Sequence, residues 1–74
     1  MKPHILHKIH KLIKEQKTGR PEELAQKINL SERSLYNYLG YMRKELLAPI
    51  GYDANKTTYY YTYEVNFGFV EIVL

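Results

Sequence analysis

The sequence contains no cysteine. That excludes a disulfide, a thiolate nucleophile and any sulfur-ligated metal site, and it suits a reducing compartment. Tryptophan is absent as well, and Asp53 is the single aspartate. No stretch approaches the roughly 20 consecutive apolar residues that a membrane-spanning helix needs. The N-terminal segment MKPHILHKIHKLIK has no uninterrupted apolar run, so it does not read as a signal peptide. The expected location is the cytoplasm. A glycine-rich phosphate loop, a nucleophile elbow and any local catalytic set are missing too. A chain of 74 residues has room for one small core, and a substrate pocket would consume much of it. The reading is of a protein that is not an enzyme and holds no cofactor.

What is present is a mild excess of cations, Lys+Arg 11 against Asp+Glu 8, for a net charge of +3. This balance permits a nucleic-acid partner without demanding one. The aromatic content is eight Tyr and two Phe. Tyrosine suits half-buried positions whose far end meets a polar group.

Hydrophobic spacing predicts three helices and then a hairpin. Pro3 can occupy a first helical turn, and Ile5, Leu6, Ile9, Leu12 and Ile13 recur at helical intervals. Lys17-Thr18-Gly19 is expected to end this helix. Pro21 opens a second helix, PEELAQKI, with Glu22 and Glu23 in its acidic first turn. It stops at Asn29, a residue that tolerates the left-handed conformation. Ser31 is the expected N-cap of a third helix running to Leu46, with Leu35, Leu39, Met42 and Leu46 on one stripe. After Pro49 the period becomes two. Residues 50–53 and 58–63 read as strands joined by Ala54-Asn55-Lys56-Thr57. The domain is expected to span residues 1–64, with 65–74 as an apolar tail.

Two short helices joined by a tight turn, the second starting at a serine cap, make the layout of a helix-turn-helix. The segment PEELAQKINLSERSLYNYL has Leu24, Ala25, Ile28, Leu30 and Leu35 at that motif's apolar positions. With a helix before it and the hairpin "API-GYD-…-YYYTY" after it, the chain resembles the winged helix-turn-helix regulators. Among these it is most similar to the DNA-binding modules of the deoxyribonucleoside-repressor and biotin-repressor type. The resemblance covers roughly residues 4–63. It implies an α+β fold, a three-helix winged helix-turn-helix with a C-terminal β-hairpin wing, and a small transcriptional regulator whose partner is double-stranded DNA. Departures are Asn29 where the turn often has glycine, Tyr38 at a usually aliphatic position, and Gly40 in a helix interior, which costs about 1 kcal/mol relative to alanine.

At roughly 100° per residue, Arg33, Asn37, Gly40 and Lys44 fall opposite the apolar stripe of the third helix. Ser34 and Tyr41 flank them on one side, Tyr36 and Arg43 on the other. A major groove admits such a helix, with its first turns nearest the base edges. Arg33 can donate twice to a guanine, Asn37 can pair bidentately with an adenine, and Glu32 can accept from a cytosine amino group. Ser31, Ser34, Tyr36, Tyr41, Arg43 and Lys44 are the candidate phosphate contacts on this helix. Arg20, just before the second helix, and Lys56, in the wing loop, complete the set. Taken alone, this face is what any solvated helix presents; the surrounding motif is what favours DNA.

Other features have plainer readings. His4, His7 and His10 recur every third residue, but they drift round the helix with no carboxylate beside them, so a solvated basic face is expected rather than a metal site. The tyrosine run 59–61 is expected to pack the hairpin on the helices rather than to stack bases. The alternative function is a protein-interaction module on the same fold, favoured by the modest charge and the single wing cation. In the tail, Phe67, Phe69 and Val73 alternate with Val70, Ile72 and Leu74, so both sides of a strand there are apolar. A homodimer through residues 65–74 is therefore expected, against the simpler outcome of a tail folded back onto the first helix.

Overall fold

The structure, a computed structural model, describes residues 1–64. The element order is α1 (Pro3–Lys14), α2 (Pro21–Lys27), α3 (Glu32–Glu45), β1 (Ile50–Asp53) and β2 (Thr58–Tyr61). This is the expected α+β layout of three helices followed by a hairpin wing. The tail at 65–74, with the pairing expected of it, lies outside the described residues. No helix among the described residues is long and apolar enough to cross a membrane.

The helix ends are set by local chemistry. Ser31 caps α3, its Oγ accepting the Ser34 N–H at 3.1 Å. In α2 the Arg20 N–H donates to Glu23 Oε1 at 3.0 Å, so the acidic first turn satisfies one orphan amide. Asn29 is left-handed, φ 59, as expected of the helix-turn-helix turn. Its N–H reaches the Gln26 carbonyl while the Leu30 N–H reaches that of Ala25, closing a Schellman motif. The same pair of bonds closes α1, but earlier than expected. Gln16 (φ 55), not Gly19, is the left-handed residue, with its N–H on the Ile13 carbonyl and the Lys17 N–H on that of Leu12. The Lys17-Thr18-Gly19 segment instead crosses to α2. Gly19 serves that crossing with φ +73, and a Cβ there would stand 3.0 Å from the Cβ of Glu23.

The core gathers Leu6, Ile9 and Ile13 of α1, Leu24 and Ala25 of α2 with Ile28 at its end, Leu35, Tyr38, Leu39 and Met42 of α3, and Ala48, Ile50 and Tyr59 of the wing. Tyr38, at its unusual aromatic position, is buried, and its hydroxyl accepts the Lys2 N–H at 3.2 Å, tying α3 to the start of α1. The wing strands are antiparallel in the register Ile50↔Tyr61, Gly51↔Tyr60, Tyr52↔Tyr59 and Asp53↔Thr58.

Two polar contacts, one buried and one partly buried, fix this wing on the helices. Thr18 and Thr58, both fully buried, meet through their hydroxyls at 3.1 Å. The Thr18 N–H donates to Thr58 Oγ1 at 3.2 Å and the Tyr59 N–H donates to Thr18 Oγ1 at 2.8 Å. Lys27 Nζ closes the same connection by donating to the Lys17 carbonyl at 2.6 Å and that of Thr18 at 3.3 Å. The second contact joins His10 Nδ1 to the Tyr61 hydroxyl at 2.7 Å. The expectation of a solvated histidine face is thus corrected. His4 is exposed and His7 half-buried, but His10 is only 5% exposed. His10 stands four residues after Leu6 and three before Ile13, inside the buried stripe of α1, and β2 lies against α1.

Thr58→Val keeps the shape of the side chain but leaves the buried Thr18 amide without its acceptor. It should cost about 1–3 kcal/mol. At about 4–8 °C per kcal/mol for a domain of this size, thermal unfolding reports it readily; the exposed Thr62→Val should leave Tm nearly unchanged. The His10 pKa is lowered from 6.5, first by burial and then by the Lys14 and His7 charges, so protonation favours the unfolded chain. The stabilisation is whole above pH 6.5 and is lost as pH falls from there toward the folded-state value. Urea midpoints measured across pH 7.5 to 5 (a range of about 2.5 units spanning the ordinary histidine pKa) should drop for the native chain and drop less for His10→Gln.

Candidate nucleic-acid interface

The outer face of α3 is built by subtraction. Leu35, Leu39 and Met42 are taken by the core, leaving Arg33, Asn37, Gly40 and Lys44 turned outward and exposed. Arg33 and Lys44 carry no carboxylate partner among the described residues, and no acidic residue stands on this face. It is therefore a local concentration of positive charge in a chain that is only mildly basic.

The remaining candidates fall on two flanks. On one, Ser31 and Ser34 hydroxyls bond to each other at 3.1 Å, with Ser31 donating. Ser31 Oγ also accepts the Ser34 amide, so the Ser31 hydroxyl serves the cap and Ser34 retains its own proton for an outside acceptor. Tyr41 lies on the same side and is exposed. The other flank faces the wing. The Tyr59 hydroxyl lies within electrostatic reach of Tyr36, Arg43, Tyr52 and Glu32, and its pKa is raised, first by burial and then by Tyr36. Glu32, Tyr36 and Arg43 thus stand at the helix–wing junction, apart from Arg33 and Asn37. Arg43 Nε donates to the Ile50 carbonyl at 3.4 Å and so links α3 to the first residue of β1.

The wing tip is held by its aspartate. Asp53 Oδ1 accepts the Asn55 N–H at 2.9 Å and the Lys56 N–H at 3.1 Å, an Asx-type turn that leaves Lys56 exposed at the tip. Arg20 is exposed at the start of α2. Tyr52, which periodicity alone does not single out, belongs to the junction. It is 39% exposed and its ring meets that of its cross-strand partner Tyr59 edge-on, centroids 5.0 Å apart. The cross-strand register, once the hairpin loop is placed at 54–57, is the signal that would have found it. Tyr36, 50% exposed, is also within electrostatic reach of Tyr59, so an exposed tyrosine of α3 and one of the wing both neighbour it. The expected packing role of the tyrosine run holds for Tyr59 and Tyr61. Tyr61 is half-buried against His10, and burial pushes its pKa well up.

The arrangement is a convex helix with an uncompensated cationic face, an exposed tyrosine on its wing side and a hairpin beside it. A shallow groove of about 280 Å³, lined by Ile13, Lys14, Gln16, Tyr61, Tyr63 and Glu64, takes no residue from α3. Compared with known protein families, with curated proteins and with solved structures, the chain matches none.

Proposed function

We propose that this domain binds double-stranded DNA and acts as a small transcriptional regulator, with α3 lying in the major groove and the wing beside it. The single observation that carries this reading is the outer face of α3, where Arg33, Asn37 and Lys44 are exposed together with no carboxylate among them. A solvated face with no partner to meet gains from interleaved charges of both signs. The outer face of α1, with His4, Lys8, Lys11 and Lys14 exposed, lacks them as well, and what favours α3 is its place as the second helix of the α2–turn–α3 unit. The width of the major groove admits a helix, and arginine and asparagine are the side chains that read guanine and adenine edges bidentately. Ser34, Tyr36, Tyr41, Arg43 and Lys44 stand on or beside that face, where a duplex backbone would pass, and Arg20 and Lys56 extend the cationic surface. Glu32, exposed in the first turn but on the wing side, would accept from a cytosine amino group only with the helix entering end-on.

The test is the affinity of the chain for a random-sequence duplex between about 50 and 200 mM salt, where phosphate contacts make binding fall steeply. A flat salt dependence would transfer the face to a protein partner. Arg33→Ala and Asn37→Ala should each cost about 1–3 kcal/mol on a selected site and less on random DNA; equal losses on both would mark a backbone contact. Lys56→Ala should weaken binding to all sequences and shallow the salt slope by about one unit. An unchanged slope would remove the wing tip from the interface.

A further inference from the structure

Three glycines fall among the described residues, and two of them are explained within the chain. Gly19 needs its positive φ, and at Gly51 a Cβ would meet the Tyr60 ring at 3.1 Å. Gly40 has neither reason. It lies inside a regular 14-residue helix, it is exposed, and a Cβ added there meets nothing within 4 Å. Alanine would fit without displacing an atom and would stabilise the helix. The missing side chain serves no contact of this domain with itself.

We propose that Gly40 is the point of closest approach between the α3 backbone and the sugar–phosphate wall of a DNA duplex, an inference that rests on the DNA-binding reading above. At roughly 100° per residue, Gly40 lies between the outward row of Arg33, Asn37 and Lys44 and the wing-facing row of Tyr36 and Arg43. The bare spot is thus ringed by cations and hydrogen-bond donors. Glu32 is two turns away and Glu45 lies round the helix on the far side of Lys44. A polyanion fits this ring. A second α3 suits it less, because a parallel crossing at Gly40 would press Arg43 and Lys44 against their own counterparts, and an antiparallel one would set them against Asn37 and Tyr36, with no carboxylate to meet either way. Without a Cβ the helix backbone can seat deeper against the duplex, and the exposed Tyr36 and Tyr52 can offer their hydroxyls to its phosphates.

The test compares the full chain with Gly40→Ala and Gly40→Leu. Binding to a labelled random-sequence duplex is read by fluorescence anisotropy, folding by thermal unfolding, and self-association by sedimentation. Alanine should raise Tm by about 4–8 °C through helix propensity. The same substitution should weaken DNA binding by about tenfold, with leucine weakening it further, as overfilling a fitted contact does. Opposite movements of stability and affinity separate a contact role from a structural one. If the native chain binds duplex and Gly40→Ala binds equally well, the close contact is wrong while the DNA-binding reading stands. If Gly40→Ala lowers Tm along with affinity, the glycine is structural and the proposal falls. A native chain that binds no duplex overturns both readings, and a dimer that Gly40→Ala dissolves assigns the spot to a second copy instead.

Discussion

The meeting of Thr18 and Thr58 is the constraint on which the geometry of the whole domain turns. A two-stranded hairpin has no stability of its own in water, so the wing must borrow its position from the helices. Here that position is set by two buried hydroxyls, each also bonded to main chain. Such bonds are directional and costly to leave unmade, so they set where β2 begins rather than merely holding it nearby. Once β2 is placed, its register places β1, and the Arg43 link to Ile50 then fixes the distance from β1 to α3. The position of the wing relative to the cationic face of α3 thus traces back to a pair of buried threonines.

Tyrosine supplies most of the remaining connections. Tyr38 joins α3 to the chain entering α1, Tyr61 joins β2 to His10 of α1, and Tyr59 joins the hairpin to the core while leaning on Tyr52. Each buries a ring and ends at a polar neighbour or a partly open edge. In a chain this short, whose core is small, a side chain that contributes both area and a hydrogen bond is an effective way to hold elements together. The cationic face of α3 receives no such attention. The side chains of Arg33, Asn37 and Lys44 bond to nothing among the described residues, and Gly40 among them carries a helix-propensity cost that no internal contact offsets.

Local chemistry was readable from the sequence, and long-range chemistry was not. The three helices, the serine cap at Ser31, the left-handed Asn29 and the hairpin loop at 54–57 all follow from spacing and turn chemistry within a few residues. The outward set Arg33, Asn37, Gly40 and Lys44 follows from the apolar stripe of the same helix. The end of α1 at Lys14 was misplaced because Gln16, a residue with no special taste for positive φ, takes the left-handed position in place of Gly19. The roles of Thr18 and Thr58 depend on a contact spanning 40 residues, which no local pattern encodes. The burial of His10 was half legible, since its spacing from Leu6 and Ile13 puts it on the core side, but its polarity argued for solvent until Tyr61 supplied a partner. The division of α3 into a wing-facing flank at Glu32, Tyr36 and Arg43 and an outward face at Arg33, Asn37 and Lys44 required the hairpin to be in place.

The central claim is that the outward face of α3, with the wing beside it, is where a duplex sits. Backbone amide chemical shifts, followed residue by residue while a short duplex is titrated into the labelled chain, test this directly. The account predicts that perturbations concentrate at Arg33, Asn37, Gly40 and Lys44, extend to Tyr52 and Lys56, and leave the middle of α1 unmoved. Perturbations centred on α1, or none at all at a duplex concentration well above that of the protein, would contradict it.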